Sequence, residues 1–184
     1  YPHLLALQSE HPQLIIDYRF APNSDVERAI AASSVDIGFM TSKSALADVS
    51  CTPVAEESLL LVTPATAAEP DWQTLLALGF IDHPDGSHHA NQLLGANYPE
   101  FQHSQQFPGR GFSNQIGLIL EPVSMGLGFT VLPAHAVEAF HKPGHIKSHR
   151  LANPVSETLY LCRRRHRALQ KRMETVIAEA RRWL

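Results

Sequence analysis

Cysteine, charge and long apolar runs are all scarce in this chain, and each shortage closes a class of function. The two cysteines, Cys51 and Cys162, are far apart in sequence and form no CxxC, too few for a metal cage or a disulfide framework. Two such thiols fit a reducing compartment better than an oxidising one. Charged residues make up 18% of the chain and the formal net charge is −3, with an isoelectric point near 6.4. That balance lacks the basic surface needed to hold a long run of phosphates, so any nucleic-acid contact must come from elsewhere. The one basic run, Arg163, Arg164, Arg165, His166 and Arg167, stands between an apolar strand and an amphipathic helix and reads as a solvated face. No apolar run approaches the ~20 residues that span a bilayer, and no basic-then-apolar leader opens the chain. A soluble, cytoplasmic protein without a membrane partner is expected, unless a leader has been removed.

What the chain does have is enough apolar residue, 44% of 184, to bury a core of one domain or two small lobes. Pro2 suits a first helical turn, and the helix carrying Leu4, Leu5 and Leu7 should stop near His11-Pro12. Leu14, Ile16, Tyr18 and Phe20 alternate with Ile15, Asp17 and Arg19, which predicts a strand. Asn23, Ser24 and Asp25 are competent N-caps for a helix over 26–32. The run Val35-Asp36-Ile37-Gly38-Phe39-Met40 then reads as a strand buried on both faces, closing a βαβ unit. Leu59 to Thr63 is another buried strand, and 65–71 a connector of small residues. Trp72 to Leu78 reads as a helix, Phe80-Ile81 as a short strand and 83–89 as a polar loop. Ser113 or Asn114 caps a helix through Val123 that Pro122 should kink near 118–121, and Gly126 and Gly128 turn it into a strand over 129–132. A helix near 134–140 and strands near 146–151 and 158–162 follow. Leu169, Met173, Val176, Ile177, Ala180 and Leu184 then form the apolar face of a C-terminal helix.

The order of these segments, above all Val35-Asp36-Ile37-Gly38-Phe39 and Val123-Ser124-Met125-Gly126-Leu127-Gly128-Phe129-Thr130-Val131-Leu132-Pro133, resembles the regulatory domain of LysR-type transcription regulators over nearly the whole chain. The resemblance implies an α/β, two-lobed type II periplasmic-binding-protein-like fold with a small effector held between the lobes. Lobe I would be residues 1–64 with 157–184, and lobe II residues 65–156. It further implies a homodimer or tetramer, and DNA contact through an upstream helix-turn-helix that this chain does not contain. The chain departs from the family pattern in two places. Family members open with a strand before the first helix, whereas this chain opens at Tyr1-Pro2, so a compromised first lobe or a replacement strand from a neighbouring molecule is expected. Ser33-Ser34 stands where the family turns with glycine, which predicts a looser helix end.

Ligands of open α/β lobes bind beyond the carboxyl ends of strands, where helix N-termini offer free N–H groups. That rule selects Asn23 and Ser24, then Thr41 and Ser42 after the strand at 35–40. In the second lobe it selects Asp82 and His83 after Ile81, Ser113 and Asn114 at the expected helix start, and Thr130 beyond the glycine turn. Asn23 also matches the family's effector loop. Capping and effector binding are compatible roles for it and for Ser24. Neutral donors of this kind suit a small polar ligand.

Other chemistries find no support in the spacing. His83, His88, His89 and His103 lack HxxxH or HExxH spacing, and the histidines read as solvent-exposed rather than as a metal site. There is no GxSxG and no triad can be named. Glu56 and Glu57, adjacent in an extended segment, point to opposite faces and read as surface residues. Gly126-Leu127-Gly128 lacks a third glycine and lies between a helix and a strand in the reverse of the dinucleotide order. No catalytic residue, metal or cofactor is expected. The chain is therefore read as an allosteric sensor domain rather than an enzyme, with the solute-binding protein of a transporter as the alternative on the same fold.

Overall fold

The computed structural model describes residues 1–184 as two compact units, the first Tyr1–Glu56 with Thr158–Leu184, the second Glu57–Glu157. The chain passes between them along two strands, β2 (Val49–Pro64) and β7 (Ser156–Arg164). No helix is long and apolar enough to cross a membrane.

In unit 1, helix α1 (Pro2–Glu10) carries proline in its first turn and ends before Pro12, as its sequence predicts. No residue of α1 is buried. Helix α2 (Asn23–Ala31) starts three residues earlier than expected and buries Ile30. Its end requires a left-handed residue, and Ser33 takes φ 57°, the one non-glycine residue of the chain with positive φ. The absence of glycine there is met by strain rather than by a different turn. The amides of Ser34 and Val35 still close onto the Ala29 carbonyl, and Arg164 donates to Ser33 Oγ at 2.6 Å.

Strand β1 (Ile37–Met40) pairs antiparallel with β7, Gly38 opposite Cys162, and β7 lies beside β2. Two expectations fail here. Residues 14–20 form no strand, because no strand of the chain lies beside them to complete a ladder, and Ile15 and Phe20 are 86% and 80% exposed. Consequently β1 closes no βαβ unit, its pairing is antiparallel, and only Met40 among its four residues is fully buried. A small core remains, built on Ile30, Met40, Val49 and Cys162. Gly38 lets α2 pack closely on β1, since a Cβ there would lie 2.5 Å from Val26 Cγ1 and that side chain would have to shift.

Cys51 and Cys162, distant in sequence, meet in this unit with their sulfurs 2.7 Å apart. Strand pairing brings them together, and nothing in their spacing announces it. The basic run is equally tied to the chain. Arg165 donates to the carbonyls of Ala47 and Val49, and Arg167 pairs with Asp36 at 3.1 Å. Arg165 thus clamps the loop before β2 and Arg167 the approach to β1, while Arg164, Arg165 and His166 remain exposed as a solvated face.

Unit 2 is better filled. The far half of β2 pairs antiparallel with β5 (Thr130–Pro133) and with β6 (Ile146–His149). Alternation along β2 sends Leu59 and Leu61 to one apolar cluster with Leu75, Phe80, Leu93 and Phe129. It sends Leu60 and Val62 to the other, with Ile81, Leu120, Val123 and Phe140. A period of two with both faces covered explains the unbroken run Leu59-Leu60-Leu61-Val62. Helix α3 (Trp72–Leu78) is capped by Asp71, whose side chain accepts from the Thr74 amide. Strand β3 (Phe80–Asp82) pairs in parallel with β4 (Gly109–Phe112), a strand absent from the sequence reading.

The expected loop over 83–89 instead leads into helix α4 (Gly86–Asn97). Its sequence, rich in Gly, Ser, His and Asn, has low helix propensity, and burial of Ala90, Leu93 and Leu94 against the sheet outweighs that. His83, before α4, His89, within it, and His149, on β6, are buried, contrary to the expectation of exposed histidines.

The helix expected from Ser113 is broken. A 3₁₀ turn at Ile116–Leu118 precedes α5 (Leu120–Ser124), and neither receives a side-chain cap. Pro122 falls in the first turn of α5, where its missing N–H breaks no helical bond. Gly126 then takes φ +81° and turns the chain into β5. Helix α6 (Ala134–Glu138) follows, and in unit 1 helix α7 (Lys171–Arg181) buries Met173 and Ile177.

Candidate functional site

In unit 1 the start of α2 and the end of β1 are joined by one carboxamide. Pro22, not Asn23, occupies the N-cap position, and no side chain caps the helix, so Asn23 and Ser24 are not the caps that their residue types predict. Asn23 turns to the neighbouring loop instead. Its Oδ1 accepts from the Thr41 amide at 3.2 Å, and its Nδ2 donates to Thr41 Oγ1 at 2.9 Å and Ser42 Oγ at 3.3 Å. Thr41 is half-buried, while Ser42 and Ser24 are exposed. The two hydroxyls each accept from Asn23, which leaves both hydrogens free to donate outward.

Ser44 extends this corner and was not singled out by sequence. Its Oγ donates to Glu27 Oε2 at 2.6 Å and its amide donates to Cys51 Sγ at 3.4 Å. Residues 41–44 are thus pinned to α2 at two points, Asn23 and Glu27, one turn apart on the same helix face. Nothing in the local sequence of Ser44 marks it, since its role depends on the placement of β1 beside α2.

In unit 2 the candidates divide. Thr130 is fully buried and donates to the Ile81 carbonyl at 2.9 Å. His83 is buried, with Nε2 3.0 Å from the Val131 carbonyl. A carbonyl can only accept, so Nε2 carries the proton in that contact. Desolvation is the largest influence on His83 and holds it below the ordinary imidazole value, against the opposing pull of the Val131 bond. Both side chains spend their polar atoms inside the unit. Asp82 is half-buried and accepts from the His83 amide at 2.9 Å. Its carboxylate also occupies the space that a Cβ on Gly86 would enter, which sets a negative charge beside the first turn of α4. Ser113 and Asn114 cap no helix. Ser113 Oγ accepts from the Gln115 amide at 3.2 Å, its own amide donates to the Asp82 carbonyl, and Asn114 is exposed.

Two concavities also lie on unit 2. One, of about 290 Å³, is lined by Pro64, Thr66, Ser124, Met125 and His145 among others. The other, of about 540 Å³, is lined by Leu60, Val137, Glu138, Ile146, Ser148 and Arg150. Neither contains a candidate from the sequence. Of the candidates, Asn23, Thr41 and Ser42 are thus brought into mutual hydrogen bonding, Asp82, His83 and Ser113 are linked through backbone amides, and Ser24, Asn114 and Thr130 join neither network.

A curled mixed α/β sheet crossed by two long strands, with neutral donors where strands give way to helices, defines a type II periplasmic-binding-protein-like domain. The chain belongs to the LysR substrate binding domain family, whose model matches residues 1–184, and it is an effector-binding domain of the kind found in LysR transcription regulators. No curated protein matches it in sequence. Full-length OxyR from Pseudomonas aeruginosa is similar with a TM-score of 0.78 at 21% identity, over 98% of this chain and 68% of that one. HinK, a LysR family transcriptional regulator from Pseudomonas aeruginosa, gives 0.74 at 17% identity over 100% and 64%. The effector binding domain of QuiR in complex with shikimate gives 0.71 at 12% identity over 99% and 88%. The chain therefore spans about two thirds of the full-length regulators it resembles.

Proposed function

We propose that this domain is the sensor of a longer LysR-type transcription regulator and that it binds a small polar metabolite through Asn23, Thr41 and Ser42, with Ser24 beside them. The observation that carries this reading is the Asn23 carboxamide, which orients two neutral hydroxyls with their hydrogens directed away from it. A carboxylate or hydroxyl-bearing metabolite is the ligand class that two free O–H donors recognise. Asp82, His83, Ser113, Asn114 and Thr130 form the second set of candidates, in which Ser113 and Asn114 have polar side-chain atoms accessible to a ligand.

The protein acts by binding rather than by chemistry. Its partners are a second copy of the chain, in a homodimer or tetramer, and DNA reached through a helix-turn-helix elsewhere in the regulator, in the cytoplasm. Sensing requires the effector to prefer one arrangement of the protein, since equal affinity for two arrangements shifts neither. Calorimetric titration of the full-length regulator with small organic acids and amino acids tests the proposal. One class should bind to the native protein and lose at least tenfold in affinity in Asn23→Ala. Absence of binding by every class to a folded oligomer overturns it.

A further inference from the structure

We propose that Cys51 and Cys162 are a site of reversible oxidative modification, at which a small hydroperoxide converts the two thiols into an intramolecular disulfide joining β2 to β7. Their sulfurs are 2.7 Å apart, within reach of the roughly 2.05 Å bond of a disulfide after a small side-chain movement. Neighbouring strands carry them, so the backbone is already placed. Both thiols are free and no other cysteine in the chain competes for either one.

Access is unequal, and this sets the order of events. Cys162 is wholly buried, whereas Cys51 is partly exposed, so an oxidant reaches Cys51 first. Burial, the largest influence, and the neighbouring Cys51 both push the Cys162 thiol up in pKa, which suits a thiol that waits for an activated partner rather than attacking first. In the first step the Cys51 sulfur displaces an alcohol from the hydroperoxide, giving the sulfenic acid: R–SH + R′OOH → R–SOH + R′OH. In the second, Cys162 attacks that sulfur, the S–O bond breaks and the S–S bond forms. The Cys162 proton leaves with the hydroxyl as water. The two thiols together lose two electrons and two protons, and the peroxide O–O bond is reduced.

The change reaches beyond the sulfurs. Cys51 Sγ accepts the Ser44 amide, and Cys162 sits opposite Gly38 in the ladder. A bond between the sulfurs alters the acceptor that holds Ser44 and locks β2 to β7 covalently across a long stretch of chain. Constraint of the unfolded chain then raises the thermal midpoint.

The test uses the full chain, reduced and then exposed to a stoichiometric amount of hydrogen peroxide. Intact mass should fall by about 2 Da as two hydrogens are lost, titratable thiols should fall from two to none, and peptide mapping without reductant should join the segments bearing Cys51 and Cys162. Dithiothreitol should restore both thiols, and the oxidised form should melt several degrees higher. Cys162→Ser should stop at a Cys51 sulfenic acid captured by dimedone. Persistent free thiols in the native chain, a disulfide between two chains, or oxidation of Cys51 to sulfinic acid with Cys162 untouched would each overturn the proposal. The mass, thiol, mapping and melting readouts concern the wild-type protein and do not depend on a variant folding, and none of the readouts depends on effector binding.

Discussion

His89 Nε2 lies 3.2 Å from a carboxylate oxygen of Glu157, and the two side chains are 4% and 3% exposed. The contact has the distance of an ion pair but not the geometry of a hydrogen bond, so both imidazole nitrogens and both carboxylate oxygens lack a hydrogen-bond partner. Buried polar atoms in that condition are costly to strand further. Glu157→Ala, which removes the carboxylate beside the buried His89 Nε2, is expected to destabilise unit 2 by about 2 kcal/mol. The double replacement His89→Leu with Glu157→Met should recover most of that loss, because the buried polar atoms that lack partners disappear together. Urea denaturation of both variants checks the pair, and a double variant no more stable than the single one would refute it.

Unit 2 should also weaken in mild acid. His83 and His149 are both held below the ordinary imidazole value, each chiefly by desolvation. A histidine that binds its proton less well when folded is protonated more readily in the unfolded chain. Its contribution to stability is therefore complete above the unfolded value of about 6.5 and is lost as pH falls from there through the depressed folded value. Thermal melts between pH 7.5 and 5 should show a midpoint that declines with acidification. His149→Gln keeps a hydrogen-bonding partner for Thr63, which lies 2.9 Å from His149 Nε2, and cannot titrate. It should flatten the decline, and an unchanged slope would remove His149 from the explanation.

Gly126 and Gly128 look alike in sequence and differ in what they require. At Gly126 the backbone is left-handed, yet a Cβ would meet open space, so Gly126→Ala should cost about 1 kcal/mol. At Gly128 a Cβ would lie 2.7 Å from the Gly79 carbonyl oxygen and 3.1 Å from Ile81 Cγ1. The obstruction is backbone, held in place by the bond from the Phe129 amide to that same oxygen. Gly128→Ala should therefore cost about 2–3 kcal/mol through displacement of β3 or β5. Chemical denaturation of the two variants side by side reads the difference, and equal costs would contradict the close approach.

These cases mark where sequence reading succeeds and where it stops. Helices α1, α3 and α7 and the buried run of β2 were legible because caps, prolines and apolar periodicity act within a few residues. Helix α4 was not, because its polar sequence folds only against a sheet assembled from distant segments. Residues 14–20 carried the right alternation for a strand, but a strand exists only beside another. That Asn23, Thr41 and Ser42 lie at a helix start and the neighbouring strand end was legible from the order of elements. Their roles were not, since Asn23 gives up capping for a contact 18 residues away. Ser44, Glu27 and the meeting of Cys51 with Cys162 depend wholly on tertiary placement.

Ser33 offers a gain rather than a loss. It sits at φ 57°, a conformation that costs a residue with a Cβ roughly 1–2 kcal/mol and costs glycine far less. Replacement by glycine also gives up the Arg164 bond to Ser33 Oγ, an exposed contact of small worth, and raises the entropy of the unfolded chain. Ser33→Gly should stabilise unit 1 by about 0.5 kcal/mol, while Ser33→Val should destabilise it by more than 1 kcal/mol because a β-branched side chain fits that region least well. Matched denaturation curves decide the sign.

The Asn23 corner can be tested without dismantling it. Asn23→Asp keeps an oxygen for the Thr41 amide but turns the Nδ2 donor into a second acceptor, so the hydroxyls of Thr41 and Ser42 must now donate inward to the carboxylate. The fold should lose no more than about 1 kcal/mol, since the Thr41 amide contact is kept and the two hydroxyl contacts survive with their polarity reversed. Affinity for an anionic effector should fall at least tenfold, because both outward donors are withdrawn and a negative charge is added beside the ligand. Asn23→Ala should instead destabilise unit 1 by about 1–3 kcal/mol through loss of all three contacts. Thermal melts and calorimetric titration on the same preparations separate the two effects. An Asn23→Asp protein that folds normally and binds an anionic ligand as well as the wild type would place effector recognition elsewhere.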